Sequence, residues 1–236
     1  MMIVWLRGRR LEILTHDGIQ PTVFSLFLAN IISRRRPVEL AVDAGAGGGI
    51  LALALGQMGV RKIIAIEQSE RACELLKENA RVNGLLDKIE VVCCDIREYN
   101  ALHNVDLVVS NPPTVPEVGT APTYISGAGQ DGTAFLRALL EMSSTWLGIG
   151  GELQTVVSSL VDEKLFFSLC QSHGLSADPL ASLVVPFRPF YYRSYTPELL
   201  ADLTASGRIE VENYGEMRHL NELITVYACV VRKARE

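Results

Sequence analysis

The sequence has no Cys-x-x-Cys pair, no long apolar run and little net charge. Its five cysteines are scattered, which excludes a zinc ribbon or a dithiol redox centre as its organising feature. Cys93, Cys94 and Cys229 lie in apolar, strand-like runs, so we predict that they are buried core residues. No apolar run reaches the length of a membrane span, and the first residues lack the pattern of a signal peptide. Together with the odd cysteine count, this leads us to expect a cytoplasmic protein with no membrane partner.

The small negative charge also limits the kinds of partner. A formal net charge of −5 disfavours a protein that binds nucleic acid by charge alone. Apolar residues make up 48% of the 236 residues, which is enough for a sizeable core. We expect one α/β domain over residues 1–236.

A glycine-rich stretch between Val42 and Ile50 is the most informative feature that is present. The apolar residues before it read as a strand and those after it as a helix. The loop between them carries Gly45, Gly47, Gly48 and Gly49. Glycines let a backbone turn tightly and approach a ligand closely. The dinucleotide fingerprint needs a further glycine where this chain has Ile50, which argues against a nicotinamide or flavin site.

Short apolar runs alternate with amphipathic segments through the middle of the chain. We predict strands at about 38–43, 62–67, 88–93, 105–110 and 151–157, and helices at about 48–58, 69–83, 131–147 and 161–173. This alternation predicts the α/β class, with a doubly wound, Rossmann-like sheet that is mostly parallel and has an antiparallel edge.

The two ends of the chain differ from this pattern. Residues 1–36 predict a hairpin of strands 3–6 and 11–14, followed by a helix from Thr22 to about Ile32 with Thr22 near its N-cap. The tail predicts strands at 180–185 and 223–231, with a small insertion at 186–220 that contains a helix near 197–205. We expect this insertion to lie on the substrate side.

Polar side chains follow four of the predicted strands. Asp43, Glu67, Asp95 and Asn111 all fall at predicted carboxyl ends. Because ligands bind open α/β sheets beyond the carboxyl ends of their strands, we expect these side chains to share one site.

Two motifs carry a resemblance to a known family. The glycine stretch resembles the Asp-x-Gly-x-Gly-x-Gly signature of class I methyltransferases that use S-adenosylmethionine (SAM). Asn111-Pro112-Pro113 resembles the Asn-Pro-Pro-aromatic motif of the branch that methylates amide or exocyclic amine nitrogens, notably the HemK-type glutamine methyltransferases and their small-methyltransferase relatives. The resemblance covers roughly residues 20–157 and implies the methyltransferase fold and SAM-dependent N-methylation.

The resemblance implies a set of cofactor contacts. Asp43 would suit the ammonium group of SAM, Glu67 the two ribose hydroxyls and Asp95 the adenine amino group. The predicted cofactor-binding residues are Gln20, Thr22, Asp43, Gly45, Ala46, Gly47, Glu67, Gln68, Asp95, Ile96 and Asn111.

The resemblance also implies the catalytic residues Asn111, Pro112 and Pro113. The Asn111 side-chain oxygen and the Pro112 carbonyl would accept hydrogen bonds from the target –NH₂, and proline would keep this corner rigid. The chain departs from the family at Thr114, where an aromatic residue usually stacks on the planar acceptor.

The acceptor stays open at this point. The HemK resemblance and the negative charge favour a protein glutamine, with a translation factor or ribosomal protein as candidate partner. The segment 186–195 holds five aromatic residues and two arginines, which favours an exocyclic amine of an RNA base. A third alternative, suggested by Thr114, is a SAM-fold module without catalytic activity that activates a partner subunit.

Overall fold

A mixed sheet with helices on both faces forms the framework of the molecule. The computed structural model describes residues 1–16, 18–33, 37–100, 102–114, 116, 128–186, 197–212 and 221–233. The strands are β1 (Met2–Leu6), β2 (Arg9–Ile13), β3 (Leu40–Ala44), β4 (Lys62–Glu67), β5 (Ile89–Cys93), β6 (Val105–Ser110), β7 (Leu147–Ser158), β8 (Leu175–Pro186), β9 (Glu210–Glu212) and β10 (Asn221–Lys233). The helices are α1 (Val23–Ile31), α2 (Ile50–Gln57), α3 (Glu70–Val82), α4 (Ala134–Trp146), α5 (Glu163–Ser172) and α6 (Pro197–Ala205).

The strand order confirms the predicted fold class. Strands β5, β4, β3, β6 and β7 pair side by side in parallel. Strand β10 then pairs antiparallel with both β7 and β8, and β9 pairs with the start of β10. The chain order reverses between β3 and β6, so the carboxyl ends of these two strands flank the crevice where ligands bind this type of sheet.

Successive side chains of the central strands point to opposite faces of the sheet and so form two cores. Ala41 and Ile63 belong to the core under α1 and α2, whereas Val42, Ile64 and Ile66 belong to the core under α4. All five side chains are at most 4% exposed. A parallel strand covered on both faces needs apolar residues at every position, which explains the continuous apolar runs in the sequence.

The predicted limits of the strands differ from the observed ones mainly in the antiparallel part of the sheet. Strand β7 begins at Leu147 rather than near 151, and β8 begins at Leu175 and runs through Pro179. Proline lacks an N–H group, and it is tolerated here because β8 pairs only with β10 among the described strands. The short strand β9 was not predicted, whereas α6 matches its predicted span.

The predicted burial of Cys93 is wrong. Cys93 is exposed because it ends β5, which is the outermost strand of the sheet. Cys229 is buried as predicted, and Cys94 is partly buried.

The N-terminal hairpin packs beside the sheet and contacts the ends of two helices. Arg7 donates to the carbonyl oxygens of Asn30 and Ile32 at the end of α1, and Arg9 donates to the carbonyl of Gln57 at the end of α2. Cations near helix C-termini satisfy orphan carbonyls and complement the dipole. Three arginines follow α1 in the sequence, at 34–36, and lie outside the described residues. Among the helices that the structure describes, none is long and apolar enough to cross a membrane.

Candidate active site

A cavity of about 900 Å³ opens at the carboxyl ends of β3, β4 and β6. It is the size of a small-molecule or cofactor site. Twelve predicted site residues line it, namely Gln20, Thr22, Gly45, Ala46, Gly47, Glu67, Gln68, Asp95, Ile96, Asn111, Pro112 and Pro113. The structure therefore brings together side chains from four strand ends and from the segment that precedes α1.

The glycine loop presents bare backbone to this cavity. Gly45, Gly47 and Gly49 have φ angles of +72°, +53° and +89°, a region that side-chain-bearing residues rarely adopt. A Cβ built on Gly47 meets no heavy atom of the described chain within 4 Å, so a ligand can approach the backbone there. A Cβ on Gly45 would lie 2.9 Å from Phe135 Cζ on α4, which also lines the cavity. Gly47 therefore leaves its backbone open to a ligand, whereas the missing side chain of Gly45 makes room for Phe135.

Glu67 supports this loop. Its Oε2 accepts from the Gly47 amide at 2.8 Å, and its Oε1 accepts from the Ser69 amide at 2.9 Å. Ser69 is the N-cap of α3, so one carboxylate joins the glycine loop to the next helix start. Each carboxylate oxygen has a second lone pair, which leaves Glu67 able to accept from a ligand as well.

Asp43 lies behind the loop rather than on the cavity wall. It is fully buried, its Oδ2 accepts from the Ala52 amide at 2.9 Å, and its Oδ1 has no partner within the described ranges. Burial raises the pKa of Asp43 from 3.8 to about 7, the Ala52 hydrogen bond opposes this shift, and the charge of Glu67 adds to it. Asp43 is not among the residues that line the cavity, and its contact with an ammonium group stays a prediction.

Asp95 reaches the cavity from the turn after β5. Its Oδ1 accepts from Arg97 N at 2.9 Å and from Arg97 Nε at 2.8 Å, and its Oδ2 accepts from Arg97 Nη2 at 2.5 Å. The hydrogen bonds from the Arg97 side chain lower the pKa of Asp95 below its usual range, although partial burial opposes this effect. The carboxylate therefore stays ionised and oriented at neutral pH.

Asn111 is held from one side only. Its Nδ2 donates to Thr22 Oγ1 at 3.2 Å, and its Oδ1 is a buried acceptor without a partner in the described part of the chain. The strand end beneath it is fixed because Ser110 Oγ donates to the Ala44 carbonyl at 2.7 Å and Thr155 Oγ1 donates to the Ser110 carbonyl at 3.1 Å. An unpartnered buried acceptor on a rigid corner is suited to receive an N–H of a ligand.

Thr114 is turned into the protein. It is 4% exposed, and its Oγ1 donates to Ser158 Oγ at 3.1 Å at the end of β7. Its carbonyl lies close to the turn that precedes α4, since a Cβ on Gly132 would lie 2.9 Å from it. The position that is aromatic in the family therefore stabilises the corner here. The aromatic residues at 187–195, which favoured an RNA acceptor in the sequence, lie outside the described residues.

Sequence analysis missed several residues of the site. Phe135 was hidden inside a predicted helix. Val185, Pro186 and Ile224 reach the cavity only because β8 ends and β10 begins beside it. Asn79 was also missed, although an asparagine in the middle of an amphipathic helix was a visible irregularity. It is fully buried and donates to the Gly48 carbonyl at 2.9 Å.

Curated proteins of two kinds resemble this chain. A protein of Methanocaldococcus jannaschii, provisionally named a protein N5-glutamine methyltransferase, is 29% identical over 79% of this chain and 94% of its own length. A release factor glutamine methyltransferase of Mycolicibacterium smegmatis is 36% identical over 47% of this chain and 43% of its own. A tRNA1(Val) (adenine(37)-N6)-methyltransferase of Actinobacillus pleuropneumoniae is 29% identical over 58% of this chain and 59% of its own. The chain thus spans about half the length of the last two relatives.

A solved structure has a similar fold, and a family model matches the part of the chain that forms the site. The YcgJ protein of Bacillus subtilis has a TM-score of 0.63 at 12% identity, over 89% of this chain and 97% of its own, which shows a shared fold. The family model for the methyltransferase small domain matches residues 23–168, which include the glycine loop, the strand-end acids and the Asn-Pro-Pro corner. With more than half of its length matched, this chain belongs to the methyltransferase small domain family and is a SAM-dependent methyltransferase.

Proposed function

We propose that this enzyme methylates the side-chain amide nitrogen of a glutamine in a protein, and that Asn111 orients that nitrogen. The observation that carries the proposal is Asn111, which lines the cavity and whose buried Oδ1 has no partner among the described residues. A primary amide has two N–H groups. Asn111 Oδ1 would accept from one of them and the Pro112 carbonyl from the other.

The chemistry explains why two acceptors suffice. An amide nitrogen is a weak nucleophile because its lone pair is delocalised into the carbonyl. Two hydrogen-bond acceptors increase the electron density on the nitrogen and fix the direction of its lone pair. SAM, when bound, supplies an electrophilic methyl group on a sulfonium. The remaining task of the protein is orientation, which contributes about 7–11 kcal/mol in well-aligned pairs.

The residues that line the cavity fit SAM. The open face of Gly47 would lie against the cofactor, and Glu67 has lone pairs left for the ribose hydroxyls. Ile96 and Ala46 supply apolar surface for the adenine and the thioether chain. Asp95 remains the candidate for the adenine amino group, because it is ionised and held in place by Arg97.

The charges around the cavity favour a protein over an RNA acceptor. Among the described lining residues Arg97 is the one cation, and Asp95 already binds it. Arg7 and Arg9 of the hairpin are engaged with helix carbonyls. Among the residues that the structure describes, a phosphate backbone would find few free cations around the cavity. The relative that is matched over 94% of its length is provisionally a glutamine methyltransferase, and a release factor is the acceptor that we propose to test first.

A labelling experiment separates the alternatives. The enzyme is incubated with tritiated SAM and, in parallel, with a purified release factor, total cell protein treated with ribonuclease, and total RNA. Methylation of a glutamine amide is expected to release labelled methylamine when the protein is hydrolysed in acid. Labelled N6-methyladenosine in the RNA digest, with no label in protein, would replace this proposal by the tRNA alternative that one relative suggests.

A binding experiment accompanies it. Calorimetry should show that the chain binds SAM and S-adenosylhomocysteine but not NAD or NADP. Binding without labelling of any fraction would point instead to a module that activates a partner. No heat with either SAM species at millimolar concentration would contradict the proposed cofactor site.

A further inference from the structure

Two asparagines, Asn79 on α3 and Asn83 at its C-cap, attach the N-terminal hairpin to this helix. Asn79 Oδ1 accepts from Leu14 N at 2.6 Å, and its Nδ2 donates to Leu14 O at 3.1 Å. Asn83 repeats this pattern on Glu12, accepting from its amide at 3.0 Å and donating to its carbonyl at 2.7 Å. Each side-chain amide thus binds the hairpin backbone as a neighbouring strand would.

The spacing of the two asparagines explains the fit. Four residues of an α-helix rise about 6 Å. Two residues of a strand span about 6.7 Å. Asn79 and Asn83 are therefore separated by nearly the same distance as Leu14 and Glu12, so both amides can reach the backbone of the hairpin at once. The pattern Asn-x-x-x-Asn on a helix is the sequence signature of this contact.

Asn83 makes one further hydrogen bond, from its Nδ2 to the Asn79 carbonyl at 2.7 Å. Asn79 has a further partner outside both α3 and the hairpin. Its Nδ2 also donates to the Gly48 carbonyl at 2.9 Å, and both Gly48 and Leu14 line the cavity. Glu67 holds the preceding amide, Gly47 N, from the other side. Because the Asn79 side chain is fully buried, water cannot replace these hydrogen bonds when they are lost.

We infer that Asn79 is a positioning residue for cofactor binding, one that couples the glycine loop to the docked hairpin. The loop keeps its shape only while Asn79 holds Gly48, and the same amide holds the hairpin residue that forms the adjoining cavity wall. The inference rests on the proposed use of this cavity for SAM. Asn79 acts through the loop and touches no reacting atom.

The test compares Asn79→Ala with Asn83→Ala in the full chain. Each substitution removes one pair of hydrogen bonds to the hairpin, so both should lower the thermal unfolding midpoint. Asn79→Ala should lower it more, because its side chain is fully buried and also loses the bond to Gly48. Asn79→Ala should also weaken binding of S-adenosylhomocysteine, measured by calorimetry, by roughly tenfold. Asn83→Ala should change this affinity by less than about threefold. The KM for SAM should follow the affinity, whereas kcat at saturation should change less.

Hydrogen–deuterium exchange gives a readout independent of the ligand. Asn79→Ala should speed exchange in both the segment 45–50 and the hairpin, whereas Asn83→Ala should affect the hairpin alone. Equal effects of the two variants on affinity and on loop exchange would overturn the inference and leave Asn79 as a hairpin anchor. If the unsubstituted chain bound no S-adenosylhomocysteine, the proposed function would fail, while the exchange data would still decide the coupling.

Discussion

The side-chain amide of Asn111 has one group with a hydrogen-bond partner, Nδ2, and one without a partner among the described residues, Oδ1. Its nitrogen is held by Thr22, which fixes the direction of the side chain, and its oxygen is left for a ligand. The strand end below it is tied to β3 and β7 by Ser110 and Thr155, so the oxygen cannot move away easily. This is preorganisation at the scale of a single residue.

Asn111→Ala should therefore lower turnover by about 10²–10³ while the fold and the affinity for S-adenosylhomocysteine are kept. The measurement is steady-state methylation of the identified acceptor, with calorimetry as the control for binding. Asn111→Asp is the companion variant, because it keeps the size but cannot donate to Thr22. Full turnover in the alanine variant would exclude this corner as the catalytic site.

Asp43 should make stability depend on pH. Its pKa is about 7 in the folded chain and 3.8 as its ordinary value, so the folded chain keeps a proton that the unfolded chain releases. Its contribution is fully present below about pH 3.8 and is lost as the pH rises towards 7. The slope is at most about 1.4 kcal/mol per pH unit.

The check is urea unfolding of the unsubstituted chain and of Asp43→Asn between pH 4 and 8. Asparagine does not titrate, so the stability of the unsubstituted chain relative to the variant should fall across this range. Asp87→Asn, at an exposed position, serves as the control. A difference that stays constant with pH would show that Asp43 does not keep its proton on folding.

At the scale of elements, the N-terminal cap of α1 is hydrogen-bonded to Asn111. Thr22 and Ser25 form a capping box, with Thr22 Oγ1 accepting from Ser25 N at 3.1 Å and Ser25 Oγ accepting from Thr22 N at 2.8 Å. The same Thr22 oxygen accepts from Asn111. The position of the helix start therefore affects the orientation of Asn111.

Thr22→Ala and Ser25→Ala should each cost about 1 kcal/mol of stability, because each removes part of the cap. Thr22→Ala should also lower kcat by roughly tenfold, since Asn111 loses its partner, whereas Ser25→Ala should lower it much less. Thermal unfolding and methylation rates together provide the comparison. Equal losses of kcat would mean that the cap matters for activity only through stability.

Gly47 in the glycine loop can be compared with Gly59, which has a similar backbone conformation outside the cavity. Gly47 and Gly59 have φ angles of +53° and +83°, and a Cβ on either meets no atom of the described chain within 4 Å. Gly47 lines the cavity, whereas Gly59 is exposed at the end of α2. A side chain would strain the backbone similarly at both positions, but only Gly47 is among the cavity-lining residues.

Substitution by alanine should cost about 1–2 kcal/mol at either glycine, from the left-handed backbone alone. Only Gly47→Ala should also weaken binding of S-adenosylhomocysteine, because its methyl group would project into the cavity. Calorimetry and denaturant unfolding of both variants test this. Unchanged affinity in Gly47→Ala would show that the ligand does not approach the loop backbone.

At the scale of the whole molecule, the two cores determine which thiols can react. Burial raises the pKa of Cys73 to about 12, that of Cys170 to about 12 and that of Cys229 to about 11, so these three are protonated thiols at pH 8. Partial burial also raises the pKa of Cys94. Cys93 is exposed at the outer strand.

Labelling of the native protein with a thiol reagent at pH 8 should therefore modify Cys93 first. Cys93→Ser should abolish this fast phase. Cys94, which is partly buried, should react more slowly, and the three buried cysteines should react only when the chain unfolds. Mass spectrometry of the labelled peptides identifies the sites. Fast labelling of Cys170 or Cys229 would contradict the packing of the core between α5 and β10.

The sequence by itself determined the sheet, the glycine loop and the Asn-Pro-Pro corner. These features depend on short-range rules, namely alternation along a strand, the φ freedom of glycine and the rigidity of proline. The family match and the strand order confirm the predicted fold class. Even the capping role of Thr22 could be predicted, because its partner Ser25 is only three residues away.

Only the tertiary structure decided which way the polar side chains point and which distant partners they meet. Asp43 and Glu67 looked alike in sequence, yet Asp43 lies beneath α2 and Glu67 lines the cavity. Thr114 turns to Ser158, and Asn79 binds Leu14 and Gly48. These pairs are separated by 31 to 65 positions along the chain. Such contacts depend on how several elements pack together, and no local pattern encodes that arrangement.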